Sequence, residues 1–570
     1  MKAKSGPLSN IWFLNAGVLF VVIILISKLG YIQIAQGQAY KDKAEKQYTV
    51  PVSGLFDRGT IFFQEKMGRK ISAATVLPDY TLAVDPLYVK DPANLASKLA
   101  KFATFDRADF IARTMRPGDR YEEVAKHLGE KEIAGINALH EKAVVLKKDQ
   151  KRFYPGGATA AQVLGFVGSS ADGLSGRYGL ERYYNETLVR SGDTTSSSFF
   201  ADLFLKAGQT ILSTHSREGD LVTTIEPTVQ GMLERVLQED VLKKYSALQA
   251  SGIIMNPKTG EIYAMASAPT FDPNNFSKER NVGVFVNPLV EGVYEMGSII
   301  KPLTIAAGID AGVITADTTY DDKGFRIYNT KKISNFDHKG RGIVSMQTVL
   351  GQSLNTGTMF VFDRLGRERL RNYFKSFGLG EETGIDLPNE AVGKIKNLET
   401  TRDIEYATAS FGQCISMTPV EVIRALSSLA NGGVLVTPHV VKQIDYGFGV
   451  THDFVPGEER RVIKKETSHE LTRMLTLDTD TALVGGTLKL EHYSIAVKTG
   501  TAQVVDGKTY SDKNFLHTFI GYFPSYDPKF IVFLSVKNPQ NVKYSSQTLP
   551  EPFMQIAKFL LNYYEVPPDR

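Results

Sequence analysis

An apolar segment near the N-terminus places the strongest constraint on this chain. Residues 11–27 contain no charged side chain, and apolar residues resume after Lys28. About 20 apolar residues cross a bilayer, and the segment reaches this length if Lys28 extends its ammonium group to the interface. A cleaved signal peptide is the alternative, but the segment is long for one and a poor cleavage site follows it. We therefore expect a transmembrane anchor over 11–34 behind a short cytoplasmic tail over 1–10.

The side of the membrane on which the rest of the chain lies is not set by charge. No second segment of this kind follows, so everything after the anchor is expected on one side. Lysines flank the anchor at both ends, and long domains are translocated largely regardless of flanking charge. The orientation must therefore be inferred from function.

Composition narrows the class of protein. The 570 residues are too many for one ordinary domain, and 42% hydrophobic with 22% charged residues is typical of a folded globular chain. The net charge of +4 comes without a concentrated basic patch, which argues against nucleic-acid binding. The single cysteine, Cys414, excludes an intramolecular disulfide and a cysteine metal cage, and we expect it to be a free, buried thiol. The nine histidines show no metal-binding spacing, so no metal is expected.

The pattern of predicted secondary structure changes near residue 220. Before it, short β-rich and helical pieces alternate without a catalytic cluster, and the small polar run 190–198 predicts an exposed loop. From Asp220 onward a short strand enters a long helix with apolar residues at helical spacing. This change predicts a non-catalytic domain over 35–219 and a catalytic domain over 220–570.

The tripeptide Lys-Thr-Gly occurs twice, in different surroundings. At 258–260 it follows Asn-Pro between two short β-rich pieces, which is typical of a hairpin turn. At 498–500 it lies inside a predicted strand, with Lys498 and Gly500 on one face and Thr499 on the other. Gly500 leaves its face bare, so a ligand could approach the backbone. Two further predicted strands follow, and the three together predict an antiparallel sheet. A phosphate-binding loop is excluded because the glycines have the wrong spacing and no helix follows them.

A Ser-x-x-Lys motif supplies a candidate nucleophile. Ser298 and Lys301 open an apolar run of helical length, and Pro302 is tolerated only in the first turn of a helix. We therefore expect Ser298 at a helix N-terminus with Lys301 one turn on, on the same face. A lysine held neutral by burial can take the proton of a serine hydroxyl. The motif alone is a weak signal.

A third motif strengthens the prediction. Ser353 and Asn355 form a Ser-x-Asn between apolar helical stretches. Such a serine could relay a proton from Lys301 to a leaving amine, and the asparagine could bind a substrate amide. Ser-x-x-Lys, Ser-x-Asn and a strand Lys-Thr-Gly in this order are the signature of penicillin-binding proteins and serine β-lactamases.

The chain resembles a class B penicillin-binding protein, a membrane-anchored peptidoglycan D,D-transpeptidase, most like the division-specific FtsI type. Beside the three motifs, the resemblance covers nearly the whole chain and includes YEMGSIIKPLT, FGLGEETGIDLPNE, ATASFGQCISMTPVEVIRALSSLANGG, KTGTAQ, DRGTIFFQEKMGRKIS and GLERYYNETL. Two departures are Cys414, where the family usually has Gly, and FFQEKMGR, which replaces the usual Asp-Arg-x-Gly turn. The implied fold is multidomain α+β. An anchor helix and an extended β-rich pedestal (dimerisation-type) domain precede a β-lactamase-like transpeptidase domain, an antiparallel sheet flanked by helices.

The resemblance also implies catalytic roles. Ser298 would attack the carbonyl of the penultimate D-Ala of a donor stem peptide, with Lys301 as its base. Ser353 and Lys498 would carry the proton to the leaving terminal D-Ala. The backbone N–H groups of Ser298 and Thr501 would form the oxyanion hole. No metal or organic cofactor is needed for this chemistry.

Substrate-binding roles follow in the same way. The hydroxyls of Thr499 and Thr501 would hold the substrate carboxylate near Lys498. Asn355 would bind a substrate amide, and Gly500 would let the peptide approach the strand. β-Lactams would mimic the D-Ala-D-Ala end and acylate the serine.

Partners, location and rival functions are expectations of the same resemblance. Because peptidoglycan lies outside the cytoplasmic membrane, the catalytic domain is expected on the periplasmic or extracytoplasmic side. The expected partners are a polytopic glycan polymerase and other cell-wall assembly proteins. An elongation-type transpeptidase is the main alternative to the division role. A β-lactamase, a membrane-bound β-lactam sensor or a silent scaffold is disfavoured by the anchor, the pedestal and the intact motifs. A bifunctional enzyme would need a polymerase domain, and no motif for one is found.

Overall fold

The computed structural model describes residues 57–116, 118–170, 173–190, 218–446, 449–455, 457, 459–506 and 509–570. The predicted tail, the predicted anchor over 11–34 and all but the first residue of the polar run 190–198 lie outside these ranges. Within them, no helix combines the length and the apolar character that a bilayer crossing requires.

The N-terminal part of the described chain consists of short helices set between strands. Its strands are β1 (Ile61–Gln64), β2 (Lys70–Val84), β3 (Glu122–Ala125), β4 (Val144–Phe153), β5 (Val167–Ser170) and β6 (Gly173–Gly176). Its helices are α1 (Pro92–Leu99), α2 (Arg107–Thr114), α3 (Glu130–Asn137), α4 (Ala161–Leu164), α5 (Gly179–Tyr183) and α6 (Asn185–Leu188). Aspartates cap two of these helices, because the side chains of Asp91 and Asp106 accept hydrogen bonds from the first-turn N–H groups of α1 and α2.

The C-terminal part carries longer helices. Its strands are β7 (Gly219–Thr223), β8 (Gln249–Met255), β9 (Ile262–Ala268), β10 (Thr319–Asp322), β11 (Phe325–Tyr328), β12 (Lys331–Ser334), β13 (Gly342–Ser345), β14 (Val434–Leu435), β15 (Val441–Tyr446), β16 (Val450–Asp453), β17 (Arg460–Arg461), β18 (Ala496–Asp506), β19 (Thr509–Phe523) and β20 (Phe530–Lys537). Its helices are α7 (Pro227–Arg235), α8 (Lys301–Asp310), α9 (Met346–Gly351), α10 (Asn355–Leu365), α11 (Arg367–Ser376), α12 (Asp403–Ala409), α13 (Pro419–Ala430), α14 (Lys465–Thr481) and α15 (Pro550–Tyr563). A π-helical segment, Val236–Lys243, continues α7.

A seven-stranded sheet joins the two predicted domains. Its strand order is β16-β15-β7-β1-β2-β3, with β4 also paired to β2. Only the β1–β7 pair is parallel among these pairings. The predicted domain boundary between residues 219 and 220 falls at the start of β7, and β15 and β16 bring Val441–Tyr446 and Val450–Asp453 into the same sheet. The boundary stays a prediction, but the two parts share a continuous hydrogen-bonded sheet.

A five-stranded antiparallel sheet lies at the centre of the predicted catalytic domain, in the order β18-β19-β20-β8-β9. One face packs on α7 and α15 through residues such as Val229 and Phe553. The opposite face packs on the helical layer that contains α8, α13 and α14. The sheet flanked by helices is the predicted arrangement. It leaves β18 at one edge of the sheet, and the segment around Gly297 packs against this strand.

The first Lys-Thr-Gly lies where the sequence predicted it. Residues 258–260 are in the turn that joins β8 to β9. Gly260 has a φ of 83°, and a Cβ there would lie 2.2 Å from the carbonyl oxygen of Thr437. The turn therefore requires glycine for conformational and steric reasons, without any catalytic role.

Candidate active site

The segment around Ser298 has the predicted local structure. Residues Gly297–Ile300 form a 3-10 turn that runs directly into α8, and Pro302 stands in the first turn of the helix. Gly297 has a φ of 62°, and a Cβ there would lie 2.7 Å from the carbonyl oxygen and 3.3 Å from the amide nitrogen of Thr501. Only glycine lets the nucleophile turn lie against β18 this closely.

The Ser-x-Asn segment connects two helices. Ser353 lies between α9 and α10 with a φ of 53°, a left-handed conformation that a serine adopts at an energetic cost. Asn355 is the first residue of α10, and its Nδ2 donates to the carbonyl oxygen of Ser334 at 2.9 Å. The turn directs both the carbonyl and the hydroxyl of Ser353 toward α8, where Lys301 Nζ donates to them.

One hydroxyl joins the three motifs. Ser353 Oγ lies 3.2 Å from Lys301 Nζ and 3.1 Å from Lys498 Nζ. Lys498 is on β18, and its Nζ also donates to the carbonyl oxygen of Thr499 at 3.1 Å. The three side chains come from a helix, a turn and a strand, and the structure therefore brings together residues far apart in sequence.

Burial changes the charge of both lysines. The Lys301 side chain is fully buried, and this burial, together with the positive charge of Lys498, holds the pKa of Lys301 well below that of an exposed ammonium. Burial also lowers the pKa of Lys498 to about 8, although the carboxylate of Asp478 acts in the opposite direction. Burial thus favours the neutral amine of Lys301, the form that can act as a base, whereas Lys498 is still largely charged near pH 7.

Ser298 itself is less constrained than its neighbours. Its side chain is partly exposed and makes no hydrogen bond to any described residue. The structure therefore brings Lys301, Ser353 and Lys498 into one hydrogen-bonded group, and the hydroxyl of Ser298, in the turn that leads into α8, stays outside this group.

The strand residues after Lys498 line the same edge. A Cβ at Gly500 would lie 2.3 Å from Thr518 Oγ1 and 2.7 Å from the carbonyl oxygen of Met296, so the bare face predicted for Gly500 is filled by the nucleophile segment. Thr499 and Thr501 are partly exposed, and Thr501 Oγ1 accepts from the N–H of Ser545 at 3.0 Å. Because that bond uses Thr501 Oγ1 as an acceptor, its own proton remains available to a ligand.

The expectation of a buried Cys414 is wrong. The thiol is free and exposed. Cys414 lies in the turn after α12 with a left-handed backbone (φ of 60°), which directs its side chain toward solvent. Its N–H donates to Glu295 Oε1 at 3.1 Å, and its Sγ lies 3.7 Å from Tyr510 Oη, which also bonds to Glu295. The backbone of this turn contacts the core through Gly412, which packs on Gly297, and the cysteine side chain points away from it.

Two polar residues near the site were missed in the sequence. Asp478 on α14 and Gln347 on α9 are hydrogen-bonded to each other beside Lys498. Neither belongs to a motif, and a single aspartate within a helix gives no signal of its own. Among the described residues, no three His, Cys, Asp or Glu side chains cluster closely enough to hold a metal ion.

Comparisons with known proteins agree with the motifs. Residues 250–558 match the model of the penicillin-binding protein transpeptidase domain, and residues 58–196 match that of the penicillin-binding protein dimerisation domain. Stage V sporulation protein D of Bacillus subtilis is 31% identical over 94% of this chain and 82% of its own length. Peptidoglycan D,D-transpeptidase FtsI of Buchnera aphidicola is 24% identical over 97% of this chain and 94% of its own length.

Solved structures share the fold. Penicillin-binding protein 3 of Mycobacterium tuberculosis, complexed with aztreonam, superposes with a TM-score of 0.68 at 22% identity, over 91% of this chain and 98% of the other. Penicillin-binding protein 2X of Streptococcus thermophilus superposes with a TM-score of 0.72 at 21% identity, over 90% of this chain and 80% of the other. Of the expected multidomain α+β fold, the two-domain architecture is confirmed, with a transpeptidase domain that mixes helices and strands. The chain therefore belongs to the class B penicillin-binding proteins, the peptidoglycan D,D-transpeptidases that its motifs resemble.

Proposed function

We propose that this protein cross-links peptidoglycan stem peptides through an acyl-enzyme on Ser298, with release of the terminal D-Ala of the donor. The observation that carries the proposal is the hydroxyl of Ser353, held between Lys301 Nζ and Lys498 Nζ beside the nucleophile turn. A nucleophile, a base and a path for the proton are the groups that acyl transfer requires.

Acylation begins at the helix end. Neutral Lys301 takes the proton of Ser298 as its Oγ attacks the carbonyl of the penultimate D-Ala. The developing oxyanion is held by the N–H groups of Ser298 and Thr501. A Cβ at Gly297, the residue before Ser298, would lie 3.3 Å from the amide nitrogen of Thr501, so the backbones of the two segments run close together here. This proximity supports an oxyanion hole formed by the N–H groups of Ser298 and Thr501.

Collapse of the tetrahedral intermediate requires a proton on the departing amine. Lys301, now charged, passes its proton to Ser353 Oγ, and the Ser353 hydroxyl proton moves to the D-Ala nitrogen as the C–N bond breaks. Lys498 donates to the same oxygen and stabilises it during this transfer. The amine of an acceptor strand then reverses these steps, attacks the acyl-enzyme and forms the cross-link.

Substrate is held along β18. Lys498 and the hydroxyls of Thr499 and Thr501 bind the terminal carboxylate of the donor. Asn355 uses its Nδ2 for Ser334, which leaves its Oδ1 to accept from a substrate N–H group. Gly500 keeps the strand clear of a side chain that would obstruct the nucleophile turn.

β-Lactams would acylate Ser298 as substrate mimics. Solved relatives carry aztreonam or ampicillin as complexes. We expect the purified, detergent-solubilised protein to form a stable covalent adduct with a fluorescent penicillin, and Ser298→Ala to form none. Rapid loss of the label would instead indicate a β-lactamase, and absence of label on folded wild-type protein would refute the acyl-enzyme.

The protein is proposed to be anchored in the bacterial cytoplasmic membrane by residues 11–34. The tail over 1–10 would be cytoplasmic, and the pedestal over 35–219 and transpeptidase domain over 220–570 would face the periplasmic or extracytoplasmic side, where peptidoglycan is built. A polytopic glycan polymerase would contact the anchor and supply nascent strands. In intact spheroplasts, external protease should digest the catalytic domain, and its protection would contradict this orientation.

Septal cross-linking is the preferred cellular role. A relative named FtsI aligns over nearly the full length of both chains, and elongation-type cross-linking remains the alternative. The 31% identity to a protein named for stage V of sporulation supports a third role, wall synthesis during spore formation. A fluorescent fusion separates the three roles, because it would collect at the septum, along the side wall or around the forespore.

A further inference from the structure

A buried carboxylate lies next to the catalytic lysine of β18. Asp478 is in the last turns of α14 and is only 7% exposed. Its Oδ1 accepts from Gln347 Nε2 at 2.7 Å, whereas its Oδ2 is buried and has no hydrogen-bond partner among the described residues. A buried carboxylate with one oxygen unpaired is costly, and its retention calls for a compensating charge.

Asp478 stands between two catalytic segments. Gln347 belongs to α9, which leads into the turn of Ser353, and a Cβ at Gly351 in the same helix would lie 2.8 Å from Asp478 Oδ1. On the other side, Thr479 Oγ1 accepts from the N–H of Val497 at 3.2 Å, one residue before Lys498. The end of α14 is therefore tied to the segments that carry Ser353 and Lys498.

The positive charges that act on this carboxylate come from two elements. Lys498 faces it from β18, and Arg473 faces it from the preceding turns of α14, where Arg473 is paired with Glu470. Lys301 faces Lys498 from α8. Burial raises the pKa of Asp478 to about 7 and lowers that of Lys498 to about 8. Near pH 7.5 the carboxylate and the ammonium are therefore both largely charged.

We propose that Asp478 is a positioning residue for the transpeptidase site, whose carboxylate keeps Lys498 charged and directed at Ser353 Oγ. The proposal rests on the function proposed above, in which Lys498 must be an ammonium to bind the substrate carboxylate and to stabilise Ser353 Oγ. Without the carboxylate, burial acts unopposed, and Lys498 loses its proton at a lower pH.

The test is the pH profile of acylation by a fluorescent penicillin in the full-length protein. Asp478→Asn keeps the shape and the acceptor for Gln347 and removes the charge. We expect the alkaline limb of the profile to move down by about one pH unit, which lowers the rate roughly eightfold at pH 8.5 and leaves it nearly unchanged at pH 6. Asp480→Asn is the matched control, since Asp480 lies on the same helix but pairs with Arg570 at 2.9 Å; its profile should match the wild type.

The outcomes separate this inference from the proposed function. A folded Asp478→Asn variant with a wild-type profile, or with an equal loss at every pH, overturns the positioning role. If that variant does not fold, Asp478→Ser, which is smaller and cannot overpack, must show the same shift. If the wild type is not acylated at all, the proposed function fails first. If the wild type is acylated normally but the alkaline limb of Asp478→Asn is not shifted relative to it, only the inference about Asp478 is refuted.

Discussion

Glu181 holds together the buried charges of the pedestal. Its side chain is fully buried and accepts from Arg58 Nε at 2.5 Å and from Arg152 Nε at 2.6 Å. Tyr154 Oη donates to it at 3.2 Å. These partners come from the chain before β1, from β4 and from the segment after it, so one carboxylate connects distant parts of the domain. Glu181→Gln keeps the shape but leaves two buried guanidinium groups without their counter-charge.

The magnitude follows from this burial. Removing one partner of a buried ion pair costs about 3–5 kcal/mol, and the 0% exposure of both Arg58 and Glu181 side chains leaves no solvent screening to reduce it. Since about 1.4 kcal/mol is a factor of ten in an equilibrium constant, 3 kcal/mol raises the population of the locally opened state by roughly 100-fold. We therefore expect amide hydrogen exchange in β1 and β4 to accelerate by at least that factor.

Hydrogen–deuterium exchange followed by mass spectrometry measures this directly, peptide by peptide. Glu186→Gln, an exposed carboxylate in the neighbouring helix α6, is the control and should leave exchange unchanged. If exchange in β1 and β4 of a folded Glu181→Gln protein stays within about threefold of wild type, the buried charges contribute little to the stability of these strands, and the cost expected from their burial is wrong.

Three further predictions concern the active site. Gly297→Ala should slow acylation by about 10- to 100-fold, because its Cβ would press on Thr501 and displace the oxyanion hole. Gly312→Ala has a similar φ of 68° with no atom within 4 Å, and it should acylate normally; equal losses in the two variants would contradict the steric argument. Ser353→Ala should reduce acylation by about 100-fold or more, measured with the same penicillin, since both lysines lose their shared hydroxyl; near-normal rates would exclude it from the proton path. The wild-type rate should fall as the pH rises through about 8, where Lys498 loses its charge, and a plateau to pH 10 would exclude that dependence.

The sequence predicted the site better than its surroundings. Three short motifs pointed to Lys301, Ser353 and Lys498, which the structure brings together, because each stands in a local pattern with its own periodicity or turn signal. Asp478 gave no such signal, since its position beside Lys498 depends on how α14 packs against β18. Local patterns report on elements, whereas contacts between elements depend on packing that no short pattern encodes.

For the fold, the sequence predicted the pairing of consecutive strands but not the pairing of distant ones. The antiparallel sheet of β18, β19 and β20 follows from alternation in consecutive segments, and it is confirmed. The sheet that joins β15 to β7 was not foreseen, because residues more than 200 positions apart pair there. Cys414 was expected to be buried from the average behaviour of cysteine, but a left-handed backbone in its turn directs the thiol to solvent.

In the proposed reaction, Ser298 carries the acyl group of the donor peptide. The decisive experiment is incubation with a D-Ala-D-Ala stem peptide and a labelled acceptor amine, followed by peptide mapping with mass spectrometry. We expect an acyl adduct on the peptide containing Ser298, release of one D-Ala per adduct and transfer of the acyl group to the acceptor. An adduct on another residue, or a cross-linked product that Ser298→Ala still forms, would contradict it.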